Sequence, residues 1–272
     1  MKWNMNPAPH VYSRQTTRVL MLNVIIALAP CALAAVWYFG WGALILMLVS
    51  VASAVLFEAL WQKLSGYKLL ISDLSAVVTG LILAMNLPAG APWWLAIVGS
   101  AFAVVIVKGL FGGLGDNFIN PALAARALLL ASWPRYMTAW IAPNGWNAAT
   151  DAVSAATPLA SPSGYTTAQL FMGNIPGSLG EVCKLAILIG LVWLLVTQTI
   201  NWRIPVAMIV STFVFSWLFG KDPVAAILSG GVMFAAVFMA TDYVTCPMNA
   251  ASPLLDRCFR RRVYGHGREA NG

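Results

Sequence analysis

Long apolar runs broken by short polar stretches recur along most of the chain, at 19–39, 42–61, 73–87, 93–111, 120–133, 181–200, 203–219 and 223–241. A helix needs about 20 apolar residues to cross a ~30 Å hydrocarbon core. The pattern therefore predicts an all-α integral membrane protein with about eight transmembrane or partial helices. Two runs, 73–87 and 120–133, are short and bounded by helix-start and helix-stop residues, which marks them as partial helices. Asn120 before Pro121 supplies a side-chain cap and a preset first helical residue, and Asp222 before Pro223 repeats the arrangement. Interrupted helices in corresponding halves are a weak sign of an inverted repeat with a site at its junction. The boundaries that follow are a cytoplasmic segment at 1–18, a first membrane repeat of five spans at 19–133, and one long external loop at 134–180. A second, incomplete repeat of three spans at 181–241 and a cytoplasmic tail at 242–272 complete the division.

Composition agrees with this pattern, since 60% of the residues are hydrophobic and 9% charged, against roughly 25% charged in soluble domains. The net charge of +7 would suggest a nucleic-acid partner in a soluble protein, but its placement argues for membrane orientation. With the N-terminus in the cytoplasm, Lys2, Arg14, Arg18, Lys63, Lys68, Lys108 and Arg203 fall inside, and Arg135 and Lys221 outside. Lys184 is expected to snorkel from the outer end of its span. The tail arginines Arg257, Arg260, Arg261, Arg262 and Arg268 suit anionic lipid. No cleavage pattern follows the first apolar run, so it is expected to remain in the mature protein. Trp37, Trp93, Trp94, Trp133, Trp140 and Trp217 lie mainly near external boundaries, as interfacial anchors do. Cys31, Cys183, Cys246 and Cys258 are too dispersed for a metal or iron–sulfur ligand set.

Candidate chemistry is concentrated in a few segments. In the external loop, Asp151, Ser154, Ala155, Ala156 and Thr157 precede Pro158, which biases Thr157 toward an extended backbone, and the small neighbours leave its hydroxyl accessible. By spacing alone this is also an ordinary solvated loop. Gly112, Gly113, Asp116, Asn117 and Asn120 precede a helix start, an arrangement that suits either a tight turn or a cradle for an anionic or polar group. Glu58, Asp73, Asp116 and Asp242 are acidic groups at or near membrane depth, where such groups mark ion pathways or cap helices. Arg126 lies inside an apolar run and calls for a carboxylate or phosphate partner, or a nearby helix end.

Asp151-x-x-Ser154-x-Ala156-Thr157 resembles the flavinylation motif of the RnfD and NqrB family of membrane subunits. Three further segments extend the likeness: Ser72-Asp73-Leu74, Gly112 through Ala122, and Met239-Ala-Thr241-Asp242-Tyr-Val-Thr245-Cys-Pro247. The resemblance implies FMN joined through its phosphate to Thr157, with Asp151, Ser154 and Ala156 completing the transferase recognition motif. It also implies a candidate second flavin, non-covalent riboflavin, for which Gly112, Gly113, Asp116, Asn117, Asn120 and Arg126 are candidate flavin or ion residues. Glu58, Asp73 and Asp242 are the candidate ion pathway. The implied setting is an Rnf-type complex in a bacterial inner membrane, with both termini cytoplasmic and the flavin loop external. Its partners would be the other Rnf subunits (A, B, C, E and G), with a flavin transferase needed for maturation. The complex would couple electron transfer on the ferredoxin or NADH side to Na+ or H+ movement, and this chain alone would have no independent activity. The alternatives are a secondary transporter or a non-redox membrane scaffold. Two departures stand out. Ala155 occupies a position where many members have glycine, and the motifs end near Asn249, where members continue with two more membrane helices.

Overall fold

The computed structural model describes residues 16–66, 71–111, 117, 119–143 and 165–242. The described residues are mostly helical. They contain no strand; Pro88 and Ser178 form an isolated antiparallel bridge. The first helix, α1 (Thr17–Phe39), starts where Thr16 accepts the Val19 N–H. It stops at Gly40, which has φ +68° and returns its own N–H to the Val36 carbonyl. Gly40 alone links α1 to α2 (Trp41–Leu64). These two helices are long and apolar enough to cross a membrane.

Residue size along α1 explains how it packs. Ala27, Cys31 and Ala35 are buried, while Leu33 and Trp37 are 71% and 70% exposed. Helix α2 likewise buries Ala43, Ser50, Ser53 and Ala54 and exposes Ile45, Leu48 and Leu56. Small residues, interspersed with Leu28, Phe39, Leu46 and Met47, face inward and let backbones approach closely, and the large apolar residues outside match a lipid solvent. A water-soluble helix would reverse that arrangement.

The remaining helices are shorter. They are α3 (Ser75–Met85), α4 (Trp93–Ala101, continued as a π-helix over Phe102–Gly109), α5 (Pro121–Ser132) and α6 (Pro134–Met137). Beyond residue 165 come α7 (Thr167–Met172), α8 (Lys184–Val196), α9 (Arg203–Leu218) and α10 (Pro223–Leu228). The last described helix, α11 (Val232–Phe234), runs on as a π-helix over Ala235–Met239. Both proline starts act as the sequence indicates. Asn120 Oδ1 accepts the N–H groups of Ala122 and Leu123, and Asp222 Oδ1 accepts that of Val224.

Close backbone contacts organise the bundle. A Cβ on Gly80 of α3 would stand 2.8 Å from the Ser50 carbonyl oxygen of α2. Ser50 Oγ donates to the Gly80 carbonyl at 2.7 Å, and Ser100 Oγ of α4 donates to the Ser50 carbonyl at 3.1 Å. These hydroxyls tie three helices together through groups that lipid could not satisfy. Helix α1 packs on α8 at Gly190, where a Cβ would collide with the Ala27 carbonyl. At one end of the bundle Trp94 meets Trp133 and Tyr136 edge-on, with ring centroids 5.5 and 5.7 Å apart.

Three expectations change. The apolar run 223–241 is not one helix but two pieces broken at Ser229–Gly231, where Gly230 has φ +73°. The run 181–200 becomes helical only at Lys184. Lys184 does not snorkel. It is wholly buried, with Nζ donating to the carbonyls of Glu181 and Gly230. The helix break supplies an interior acceptor, so the amine has no need to reach an interface.

Candidate functional site

Among the described residues, three polar centres contain ionisable side chains or sequence candidates. The first joins α2, the 3-10 turn Ile71–Asp73, the start of α3 and the π-helical end of α4. Lys108 and Glu58 form an ion pair at 2.5 Å, each residue only 4% exposed. Lys108 Nζ also donates to Ser75 Oγ at 2.6 Å, and Ser75 Oγ donates onward to Asp73 Oδ1 at 2.8 Å. The same Asp73 oxygen accepts the Ser75 backbone N–H at 3.0 Å, so Asp73 performs the capping role open to it. Leu74 between them is held at φ +63°, a backbone region that costs a non-glycine residue energy and is usually maintained by its surroundings. The π-turn, with Leu110 N–H reaching Val105 O, widens the helix where Lys108 points inward. Gln62 donates to Glu58 Oε1, whereas Glu58 Oε2 is buried with no hydrogen-bond partner among the described residues. A carboxylate in that condition can accept a proton or a small cation. Lys108 is thus an interior counter-ion rather than a free basic residue, because the Glu58 carboxylate meets it inside the bundle.

The second centre lies at the start of α5. Asn120 Nδ2 donates to Asp242 Oδ2 at 3.4 Å, bringing together two candidates far apart in the sequence. Asn117 Oδ1 is buried without a partner among the described residues. A shallow depression of about 270 Å³ beside this start is lined by Asn120, Leu123, Met208 and Met239. Gly112, Gly113 and Asp116, the other members of the glycine-rich candidate, lie outside the described residues.

Arg126 belongs to a third centre, which sequence reasoning does not anticipate. Its Nη1 donates to Asn86 Oδ1 at 2.8 Å. Asn86 ends α3, and the chain just before and after it pairs with the segment leading into α8 through Gly180 N–H to Met85 O and Leu179 N–H to Leu87 O. Glu181, in that segment, is buried and accepts the Ser178 N–H on Oε1 at 3.0 Å. Its other oxygen faces Gly231 in the α10–α11 break. Three interruptions of helical backbone thus meet around Asn86, Arg126, Glu181 and Lys184. The Ser229-Gly230-Gly231 sequence is the available signal for the break; nothing local points to Glu181.

Asp151, Ser154, Ala155, Ala156 and Thr157 lie outside the described residues. On the flanking chain, Thr166 and Gln169 form a reciprocal capping box at the start of α7, and Tyr38 Oη donates to the Met172 carbonyl at 2.9 Å. No group of three or more His, Cys, Asp or Glu side chains suited to a metal ion occurs among the described residues.

Residues 4–255 match the family described as NQR2, RnfD, RnfE. The chain is 42% identical to the D subunit of the Na(+)-translocating ferredoxin:NAD(+) oxidoreductase complex of Acetobacterium woodii, covering 96% of this chain and 95% of the relative. It is 36% identical to the D subunit of the ion-translocating oxidoreductase complex of Rhodobacter capsulatus, over 95% of this chain and 81% of that one. The corresponding subunit of the proton-translocating ferredoxin:NAD(+) oxidoreductase complex of Clostridium ljungdahlii is 35% identical, with 93% and 82% covered. A match over 96% of 272 residues runs past Asn249, further than the motifs alone placed it. The Acetobacterium alignment spans 305 positions, so that relative also carries residues within the matched length that this chain lacks.

Proposed function

The chain belongs to the NQR2, RnfD, RnfE family, and from that membership we propose that it is the membrane-embedded D subunit of a complex coupling electron transfer between ferredoxin and NAD+ to Na+ or H+ translocation. The observation that carries the reading is the similarity, over nearly all of this chain, to three D subunits of ion-translocating oxidoreductase complexes, two of them named for ferredoxin and NAD(+), joined to an Asp-x-x-Ser-x-Ala-Thr motif at Asp151–Thr157.

In this reading Thr157 holds FMN through a phosphoester on its hydroxyl oxygen, and Asp151, Ser154 and Ala156 present that hydroxyl to a flavin transferase. When bound, the flavin supplies a carrier that accepts two electrons and releases them singly. The chain's own contribution is position. The flavin loop is flanked on one side by α6 and on the other by the capped α7, which Tyr38 fastens to α1. With the N-terminus cytoplasmic, the loop is external, and the basic residues follow the positive-inside trend. Asn117 Oδ1, Asn120 and the depression at the α5 start suit the polar edge of a second, non-covalent flavin such as riboflavin, although about 270 Å³ is below the usual 300–1,000 Å³ of a ligand pocket. Glu58 and Asp73, linked through Ser75 and Lys108, form a polar line suited to a proton or small cation on the cytoplasmic side. Asp242 stands at another point on the same side. The remaining partners are the other Rnf subunits (A, B, C, E and G).

The functional test is electron transfer in assembled complexes. Thr157→Ala should reduce ferredoxin-dependent NAD+ reduction to background while all subunits still co-purify. Full activity in an assembled Thr157→Ala complex would instead make the chain a scaffold.

A further inference from the structure

The Arg126 centre is not needed to hold a flavin, yet it places ionisable groups deep among interrupted helices. Non-helical backbone at such depth persists where it is buried in protein or lines a passage, and interrupted helices meeting at a repeat junction are a recurring setting for ion sites. Glu181 is 7% exposed, and its Oε2 has no hydrogen-bond donor among the described residues. The nearest cations give their hydrogen bonds elsewhere, although Lys184 also acts on the Glu181 carboxylate through space. Lys184 Nζ is engaged by the carbonyls of Glu181 and Gly230, and Arg126 Nη1 by Asn86 Oδ1.

Gly231 shows how the two charged heads are related. A Cβ at that glycine would stand 3.2 Å from Glu181 Oε2 and 3.8 Å from Arg126 Nη1. Carboxylate and guanidinium therefore face one small space, kept open because residue 231 has no side chain, without forming a direct ion pair among the described residues. We propose that Glu181 is a docking carboxylate for a small monovalent cation, and that Arg126 is its tethered competitor, resting on Asn86 when the site is open. This inference rests on the ion-translocating reading of the complex. Two cations on one carboxylate repel each other strongly in a low-dielectric interior, so Glu181 takes either the free cation or the guanidinium. Movement of Arg126 from Asn86 to Glu181 expels the cation, and its return reopens the site.

The test uses the assembled complex in proteoliposomes, with Na+ as the probe and the Na+ concentration for half-maximal electron transfer as the readout. Arg126→Gln removes the competitor. Gly231→Ala fills the space between the heads at a residue whose φ of −85° alanine readily adopts. Arg126→Gln should lower the half-activating Na+ concentration by about fivefold or more, the lower range of typical coupling between sites, and slow Na+ release, whereas the Gly231→Ala methyl, 3.2 Å from Glu181 Oε2, takes the cation's own space and should raise it. Glu181→Gln should raise it by at least as much. A purely structural Arg126 would lower activity or stability without tightening Na+. If the wild-type complex transports without added Na+, proton uptake is read from the same variants, with the same directions expected. Unchanged ion dependence in Arg126→Gln and Gly231→Ala complexes of wild-type subunit content overturns the proposal. A wild-type complex with no electron transfer at all would fail the functional reading instead.

Discussion

Glu58→Ala is expected to destabilise the folded protein by about 3–5 kcal/mol, the usual cost of leaving one partner of a buried ion pair uncompensated. Lys108 would keep only Ser75 Oγ as an acceptor among its described contacts, in a position 4% exposed. The double variant Glu58→Met/Lys108→Met should recover most of the loss, because an apolar pair of similar volume removes both charges from the interior. Thermal unfolding in detergent checks both. If the single variant melts with the wild type, Lys108 is not a buried cation in the protein as it folds. Recovery of stability without recovery of ion transport in the double variant would separate the pair's structural role from the ion-pathway role proposed for Glu58.

Gly190→Leu should be more damaging than ordinary overpacking, which costs about 1–3 kcal/mol. The added side chain meets the Ala27 backbone carbonyl and the Phe238 ring rather than a flexible side chain, and α1 would be forced away from α8. Little folded protein should survive purification. Gly42→Ala is the control, since no atom lies within 4 Å of its Cβ position. That change in α2 should be neutral or stabilising by up to about 1 kcal/mol, the helix-propensity difference. Equal tolerance of both changes would contradict the α1–α8 packing.

Helix starts were legible because their determinants are local. Asn120–Pro121 and Asp222–Pro223 each bring a cap and a preset backbone angle within two residues, and both helices begin there. The brevity of the runs at 73–87 and 120–133 also carried over, into α3 and α5. The pairing of polar groups was not legible. Glu58 and Lys108 are 50 positions apart, Arg126 and Asn86 40 apart, and Asn120 and Asp242 122 apart. No periodicity connects such positions, and each lysine taken singly suits a membrane surface. The break at Ser229–Gly231 was hidden for a different reason. Its flanks are apolar enough to read as one span, and hydropathy does not register a glycine held at φ +73°. The second flavin candidate divided as well: Asn120 stays with Asp242, whereas Arg126 turns to Asn86.

The central claim is that this chain itself carries a redox group, and the peptide containing Thr157 tests it most directly. After co-expression with a flavin transferase, mass spectrometry should find an FMN-sized increment on Thr157, absent from Thr157→Ala. An unmodified Thr157 recovered beside a transferase that labels a control acceptor would contradict the account.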